Sequence, residues 1–251
     1  MENLPPDHFA VTGAYTPHVH RDQYPAIDPT SPALRQSGKV VIITGASAGI
    51  GARGFAPAFA KAQPKAVILV GRDTAKLAAT EAAVAAAAKA GVVEVVSFAA
   101  DVTSAVDVDK LYEMVRARFG RADVLVNNAG VMSTAAIAPL GDIGDVDAWW
   151  RDFQVNVRGT FLMTRGFLKL LGHETPGVVI SMLSGVSGAA APTLSAYGGS
   201  KLAVARISET VSIEYPQVTA VCLQPGVVKT DAVIGRHSDA ANTLVAFRTS
   251  I

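Results

Sequence analysis

The sequence predicts an α/β fold in which one doubly wound parallel sheet is covered by helices, and three observations carry that expectation. Short β-branched-rich runs recur along the chain, each apolar on both faces as buried parallel strands are. Stretches of helical pattern separate them, so strand and helix alternate. The first run ends in a glycine-rich turn that opens straight into a helix. With 251 residues, half of them hydrophobic, the chain can bury one large core. A single domain is expected.

Taken in order, residues 1–38 carry repeated prolines without a sustained period and read as an extended N-terminal arm on the surface or a disordered leader. The domain then occupies residues 39–251. Its strands are expected at KVVIITG, AVILVG, VVEVVSFAA, ADVLVNN, GVVISML and VTAVCLQ, with helices over 50–62, 74–90, 104–119, 145–171 and 194–214. Pro57 falls inside the first helix, where a missing N–H and a crowded preceding turn predict a kink. Of Trp149 and Trp150, one ring is expected in the core and the other at an interface or pocket.

Composition removes several classes of partner. Twenty-two basic against 21 acidic residues leave a formal charge of +1, so no global field draws the chain to nucleic acid or to an anionic membrane. The single cysteine, Cys222, cannot form an internal disulfide. No window approaches the roughly 18 apolar residues of a membrane span, and nothing at the start reads as an export signal. The cytoplasm is the expected location. His8, His18 and His20 include the sequence HVH, but no cysteine or carboxylate pattern completes a metal site, and no metal is expected.

The first strand runs into TGASAGIG, whose Gly45, Ser47, Gly49, Ile50 and Gly51 lie on a turn at the carboxyl edge of the sheet. Glycine permits close backbone approach, and the free N–H groups of the following helix favour a phosphate. A dinucleotide is the natural guest, against the alternative of an ordinary tight turn. Such a ligand must also meet the next two strand tips. Arg72, after Gly71, suits a 2′-phosphate better than the carboxylate of an NAD site, which favours NADP(H) over NAD(H); otherwise it is a surface arginine near a helix start. Asp101 and Val102 could hold the adenine amino group and ring face, or Asp101 could cap the next helix. Asn128, Ala129 and Gly130 end the fourth strand, where missing bulk leaves room for a cofactor.

The stretch SGVSGAAAPTLSAYGGSK, Ser184 to Lys201, places three polar groups in a run of small residues. Tyr197 and Lys201 are four apart on a predicted helix and so share a face. An ammonium about 4 Å from a phenol contributes roughly 4 kcal/mol at an effective dielectric near 20, equivalent to about three pK units. Tyrosine then becomes usable as a general acid or base at neutral pH. Ser181, Ser184 and Ser187 compete as its partner. Ser181 lies within the strand and reads as structural, and Ser187 could line the pocket. Asn156, in a long apolar helical stretch, needs hydrogen-bond partners if buried, either from the helix backbone or in a functional role.

Together TGASAGIG, NNAG (Asn127 to Gly130), Ser184, YGGSK (Tyr197 to Lys201) and Pro225-Gly226 occur in an order that resembles the short-chain dehydrogenase/reductase family, over roughly residues 39–231. The leader YTPHVHRDQYPAIDP is similar to leaders on fungal members. The resemblance implies a Rossmann-type sheet of order 3-2-1-4-5-6 and hydride transfer between a nicotinamide and a small carbonyl or alcohol substrate, with fungal specialised metabolism as the setting. It selects Ser184 by its interval of thirteen residues before Tyr197. It also implies that Lys201 holds ribose, that Asn156 supports a water link to lysine, and that Pro225, Gly226, Val228 and Thr230 meet the nicotinamide side. Ser181 and Leu183 depart from the residues usual there. Members continue well past the PG segment to a lid and a seventh strand. Either this chain is a piece of a longer one, or it lacks part of the lid and a sheet edge. A homo-oligomer is compatible with the resemblance. A non-redox cofactor-binding protein, or a lyase or cyclase, is the alternative, because fold does not fix chemistry.

Overall fold

The computed structural model describes His20, residues 23–88 and 91–226, Val228 and Thr230. Six strands, β1 Val40–Thr44, β2 Ala66–Gly71, β3 Glu94–Ala99, β4 Val124–Asn127, β5 Gly177–Met182 and β6 Val218–Leu223, form one parallel sheet of order β3-β2-β1-β4-β5-β6. The register pairs Ile43 of β1 with Leu69 of β2 and with Val126 of β4. Strand order reverses between β1 and β4, which opens a crevice at the carboxyl ends of the strands.

Alternation along each central strand sorts its side chains between two helical layers. Val40 and Ile42 join one core with Leu111 and Tyr112 of α3 (Ala105–Phe119), Phe167 of α5 (Thr160–Leu171) and Val211 of α6 (Ser195–Glu214). Val41 and Ile43 face the other, with Ala60 of α1 (Ala56–Lys61) and Leu77 and Val84 of α2 (Thr74–Ala87). Tyr112 lies flat on Gly166, where a Cβ would overlap its ring, and its hydroxyl donates to Met163 O at 2.6 Å. Helix starts follow local chemistry: Asp73 accepts from Lys76 N–H at 3.0 Å and Ser104 from Asp107 N–H at 3.2 Å. Gly120, at φ 79°, closes α3.

Three expectations are corrected. Only the central strands are buried on both faces; β3 is half-buried, and β6 exposes Val221 and Leu223 at 42% and 41%. Edge strands have a neighbour on one side only. Second, the stretch 145–171 is two α-helices, α4 (Val146–Phe153) and α5, joined by a π-helical turn over Gln154–Gly159. The first helix is likewise preceded by a π-helical turn, Gly51–Phe55, directly before Pro57, where the kink was expected. Proline lacks the N–H that would continue an ordinary ladder, and hydropathy period alone cannot distinguish one widened turn from a regular one. Third, helix 74–90 ends at Ala87. The arm is described at His20 and from Gln23 onward, with 3₁₀ turns at Pro25–Ile27 and Pro32–Leu34 and a bond from Gln36 N–H to Ala62 O that lays it on the domain. Its earlier part, including His8 and His18, and residues 231–251 lie outside the described residues.

Candidate active site

The turn after β1 is held by backbone approach. Gly45 and Gly49 have φ of 65° and 57°, which a side chain would oppose. A Cβ at Gly45 would stand 2.9 Å from Ala129 Cα, and one at Gly51 would overlap the carbonyl oxygen of Gly45. Asn128 ties this turn to β4: its Nδ2 donates to Thr44 O at 2.9 Å and Gly45 O at 3.3 Å. The Thr44 hydroxyl accepts from the N–H groups of Asn128 and Ala129, both at 3.0 Å, and donates to Val126 O. Asn128 is therefore a strut for the glycine turn, a role that sequence read only as missing bulk. Ser47 sits against Gly71, Ile50 leads into the π-helical turn, and Thr230 Cγ2 lies 3.4 Å from a Cβ built on Gly49. Pro225 and Gly226 follow β6, with Gly226 at φ 70° and Val228 half-buried beyond it.

Ser47, Ala48, Arg72, Asp73 and Lys76 line a cleft at the tip of β2. Lys76 is a second cation that sequence reasoning missed; it comes from the first turn of α2, four residues after Arg72. Arg72 lies 4.0 Å from Asp101, and Lys76 lies 3.5 Å from Asp73, all largely in solvent. Two cations beside a hydroxyl fit a phosphate ester, and the glycine cradle fits a pyrophosphate. Asp101 does not cap α3, because Ser104 does; its Oδ1 instead accepts from Thr103 N–H and hydroxyl, both at 2.8 Å. Val102 is buried against Gly159, a core position at the base of this rim.

Across the crevice, polar groups are buried where β5 meets α6. Lys201, 5% exposed, donates from Nζ to Met182 O at 2.9 Å, and its Nζ stands 5.8 Å from the centroid of the Tyr197 ring. Tyrosine and lysine thus share the face that their spacing predicts. Burial pulls the lysine down to about 8 from its ordinary value, and the nearby charge of Asp152 opposes that fall. Ser184 begins the short turn Gly185–Ser187, and its carbonyl accepts from Ser187 N–H at 3.0 Å and from the Ser187 hydroxyl at 2.6 Å. The turn packs on the first turn of α6: a Cβ at Gly198 would lie 3.2 Å from Val186 O, and one at Gly199 would lie 3.2 Å from Phe153 Cζ. The two helical glycines of YGGSK thus sit in two close contacts, one with the turn and one with Phe153 of α4. Ser181 is 1% exposed inside β5.

Asn156, 1% exposed, sits in the π-helical turn. Its Oδ1 accepts from Val131 N–H at 2.8 Å; its Nδ2 donates to Val131 O and to Ser200 Oγ, both at 2.9 Å. Its partners come from two other elements and not from its own helix. A Cβ at Gly130 would lie 3.2 Å from Asn156 Oδ1 and 3.3 Å from Lys201 Nζ, so glycine keeps the two groups adjacent. Trp149 donates to Ser195 Oγ at 3.0 Å and stacks on Phe153, while Trp150 is 53% exposed. Ser200, Ser133 and Asp152 were invisible as site residues, since serine and aspartate at those positions match no spacing rule.

These features coincide with those of known proteins. The family model for short chain dehydrogenases matches residues 39–241. The chain is 37% identical over 225 residues to the short chain dehydrogenase pigC of Monascus ruber, covering 88% of this chain and 72% of that protein. A short chain dehydrogenase from Shigella flexneri complexed with NADP superposes with a TM-score of 0.71 at 26% identity, covering 80% of each chain. An NAD+-bound xylitol dehydrogenase gives 0.68 at 30% identity, covering 76% of this chain and 71% of that one. The protein belongs to the short-chain dehydrogenase family, whose members are NAD(P)-dependent oxidoreductases with this sheet order.

Proposed function

We propose that the protein interconverts a small or medium carbonyl and its alcohol with NADP(H) in preference to NAD(H), and that Tyr197 is the general acid and base. The observation that carries the reading is the buried Lys201, anchored by Met182 O with its ammonium over the Tyr197 ring. When bound, the nicotinamide would supply or take the hydride. Gly45, Ser47, Gly49, Ile50 and Gly51 would cradle the dinucleotide phosphates, while Arg72, joined by Lys76, would hold the 2′-phosphate. Asp101 and Val102 would bound the adenine, and Asn128 to Gly130 the face of the cleft. Pro225, Gly226, Val228 and Thr230 would bound the nicotinamide end, with Val228 contributing its backbone.

In reduction, the Tyr197 phenol gives its proton to the carbonyl oxygen, and the Ser184 hydroxyl donates a hydrogen bond to the same oxygen. The Lys201 charge favours the phenolate left behind, and its ammonium holds ribose hydroxyls. Asn156 spends both amide protons and one lone pair on Val131 and Ser200. The second lone pair of Oδ1 can accept from a water bound to Lys201, which is the water link expected of this position. No described helix is long and apolar enough to cross a membrane, and a cytoplasmic setting in fungal specialised metabolism completes the proposal. Tyr197→Phe should lower carbonyl-dependent NADPH oxidation by at least about 10²-fold while fluorescence titration shows near-normal NADPH affinity. Equal turnover in that variant would overturn the assignment.

A further inference from the structure

Two carboxylates are buried among the described residues, and their surroundings differ. Asp123, 4% exposed, accepts from Val40 N–H and meets Lys39 and Arg121. Asp152, 1% exposed, touches no described cation: Oδ1 accepts from Ser133 N–H at 2.8 Å and the Ser133 hydroxyl at 2.7 Å, and no described group donates to Oδ2. A carboxylate in that position is costly unless a nearby charge compensates it.

The compensating charge comes from α6. Asp152 precedes Asn156 by one turn on the same buried face, and Asn156 reaches Ser200, the neighbour of Lys201. Asn156 Oδ1 and Lys201 Nζ both border the single Cβ position left empty at Gly130. Asn156 thus links the two buried charges: the carboxylate lies one turn before it, and the ammonium borders the same Gly130 position as its Oδ1. We propose that Asp152 is a positioning residue of the proton-transfer site: held by Ser133, its charge keeps the buried Lys201 protonated, and its bonds fix the loop after β4 beside Asn156. The inference rests on the reading of Tyr197 and Lys201 given above. The field of Asp152 opposing the fall of Lys201 toward about 8 agrees with it.

Other ionisable groups on the packed elements do not compete. Besides Tyr197 and Lys201, α6 carries Arg206 and Glu209, which pair with each other on the surface, and Glu214, which is exposed. On α4, Asp147 and Arg151 are exposed, and Arg158 of the π-helical turn is exposed and acts on Asp101. The turn Thr134–Ala136 carries no ionisable side chain.

The test is the pH profile of carbonyl reduction by the full chain with NADPH. Asp152→Asn keeps an acceptor for Ser133 and removes the charge. Losing a negative charge lowers the pKa of every proton carrier near it, so the alkaline limb should move down by roughly one to two pH units whether Lys201 or Tyr197 sets it. Turnover should then be within about twofold of normal at pH 6 and about 10- to 100-fold lower at pH 9. Ser133→Ala, which keeps the charge, should leave the limb in place. An unmoved limb in a folded D152N, with K201M and Y197F inactive, would overturn the inference alone; active K201M or Y197F would overturn the underlying reading. A stability cycle covers a D152N that does not fold. K201M strands the carboxylate, so adding D152N to K201M should raise the melting temperature, whereas additive losses would refute the pairing.

Discussion

The two rims of the crevice are built on opposite physics. At the tips of β1 and β2 the chain excludes side chains: Gly45 and Gly51 let backbone lie on backbone, and two solvated cations, Arg72 and Lys76, line the cleft beside them. At the tips of β4 and β5 it buries polar side chains instead, with Asp152, Asn156, Ser200 and Lys201 each 5% exposed or less. The first rim tolerates no added volume. The second satisfies its buried polar atoms with partners from distant segments, all but Asp152 Oδ2. One surface is therefore specified by shape and the other by hydrogen bonding and charge, and Asn128, whose amide reaches from β4 to Gly45 O, joins them.

That contrast can be broken experimentally, beginning with the strongest lesion. Gly51→Ala forces a methyl group into the Gly45 carbonyl and the Asn128 amide. Overpacking of this kind costs about 1–3 kcal/mol, so a lower melting temperature should accompany the loss of measurable NADPH binding by fluorescence titration. Arg72→Ala removes charge without disturbing the cradle. It should weaken NADPH by about 10- to 100-fold, leave NADH affinity unchanged in the same titration, and exceed the effect of Lys76→Ala. Gly130→Ala probes the polar rim sterically. Its methyl group meets Asn156 Oδ1 and a lysine tip 3.2 and 3.3 Å away, a crowding that small shifts relieve. A misplacement of the reacting groups then predicts a fall in kcat of about tenfold with little change in coenzyme affinity; the reverse pattern in steady-state kinetics would erase the distinction between the rims.

Much of the first rim was legible in the sequence because its information is local. TGASAGIG specifies a turn by which residues lack a Cβ, and the tip residues Arg72 and Asp101 follow from where the strands stop. Lys76 escaped because its approach to Ser47 and Arg72 depends on how α2 packs, not on its neighbours in the chain. The polar rim was legible in part: spacing carried Tyr197 and Lys201 on one helical face, the family interval carried Ser184, and Asn156 stood out as an amide in an apolar stretch, but the partners of these groups did not. Ser133 and Asp152 lie 19 residues apart, and Asn156 and Ser200 lie 44 apart; the first bond exists only after the loop following β4 packs on α4, the second only after α6 packs on the π-helical turn. The π-helical turn at Gln154–Gly159 was missed for a related reason, since the same hydropathy pattern suits one continuous helix.

By itself the sequence determined the alternation of strand and helix, the glycine turn and the tyrosine–lysine pair, because each depends on backbone sterics or on the 3.6-residue period. Tertiary structure decided which buried polar groups meet and which glycines serve packing. Gly199 meets Phe153 arriving from another helix, and Asn156 meets Ser200, beside Lys201, because two chain segments far apart in sequence are pressed together where an unsatisfied polar group is expensive.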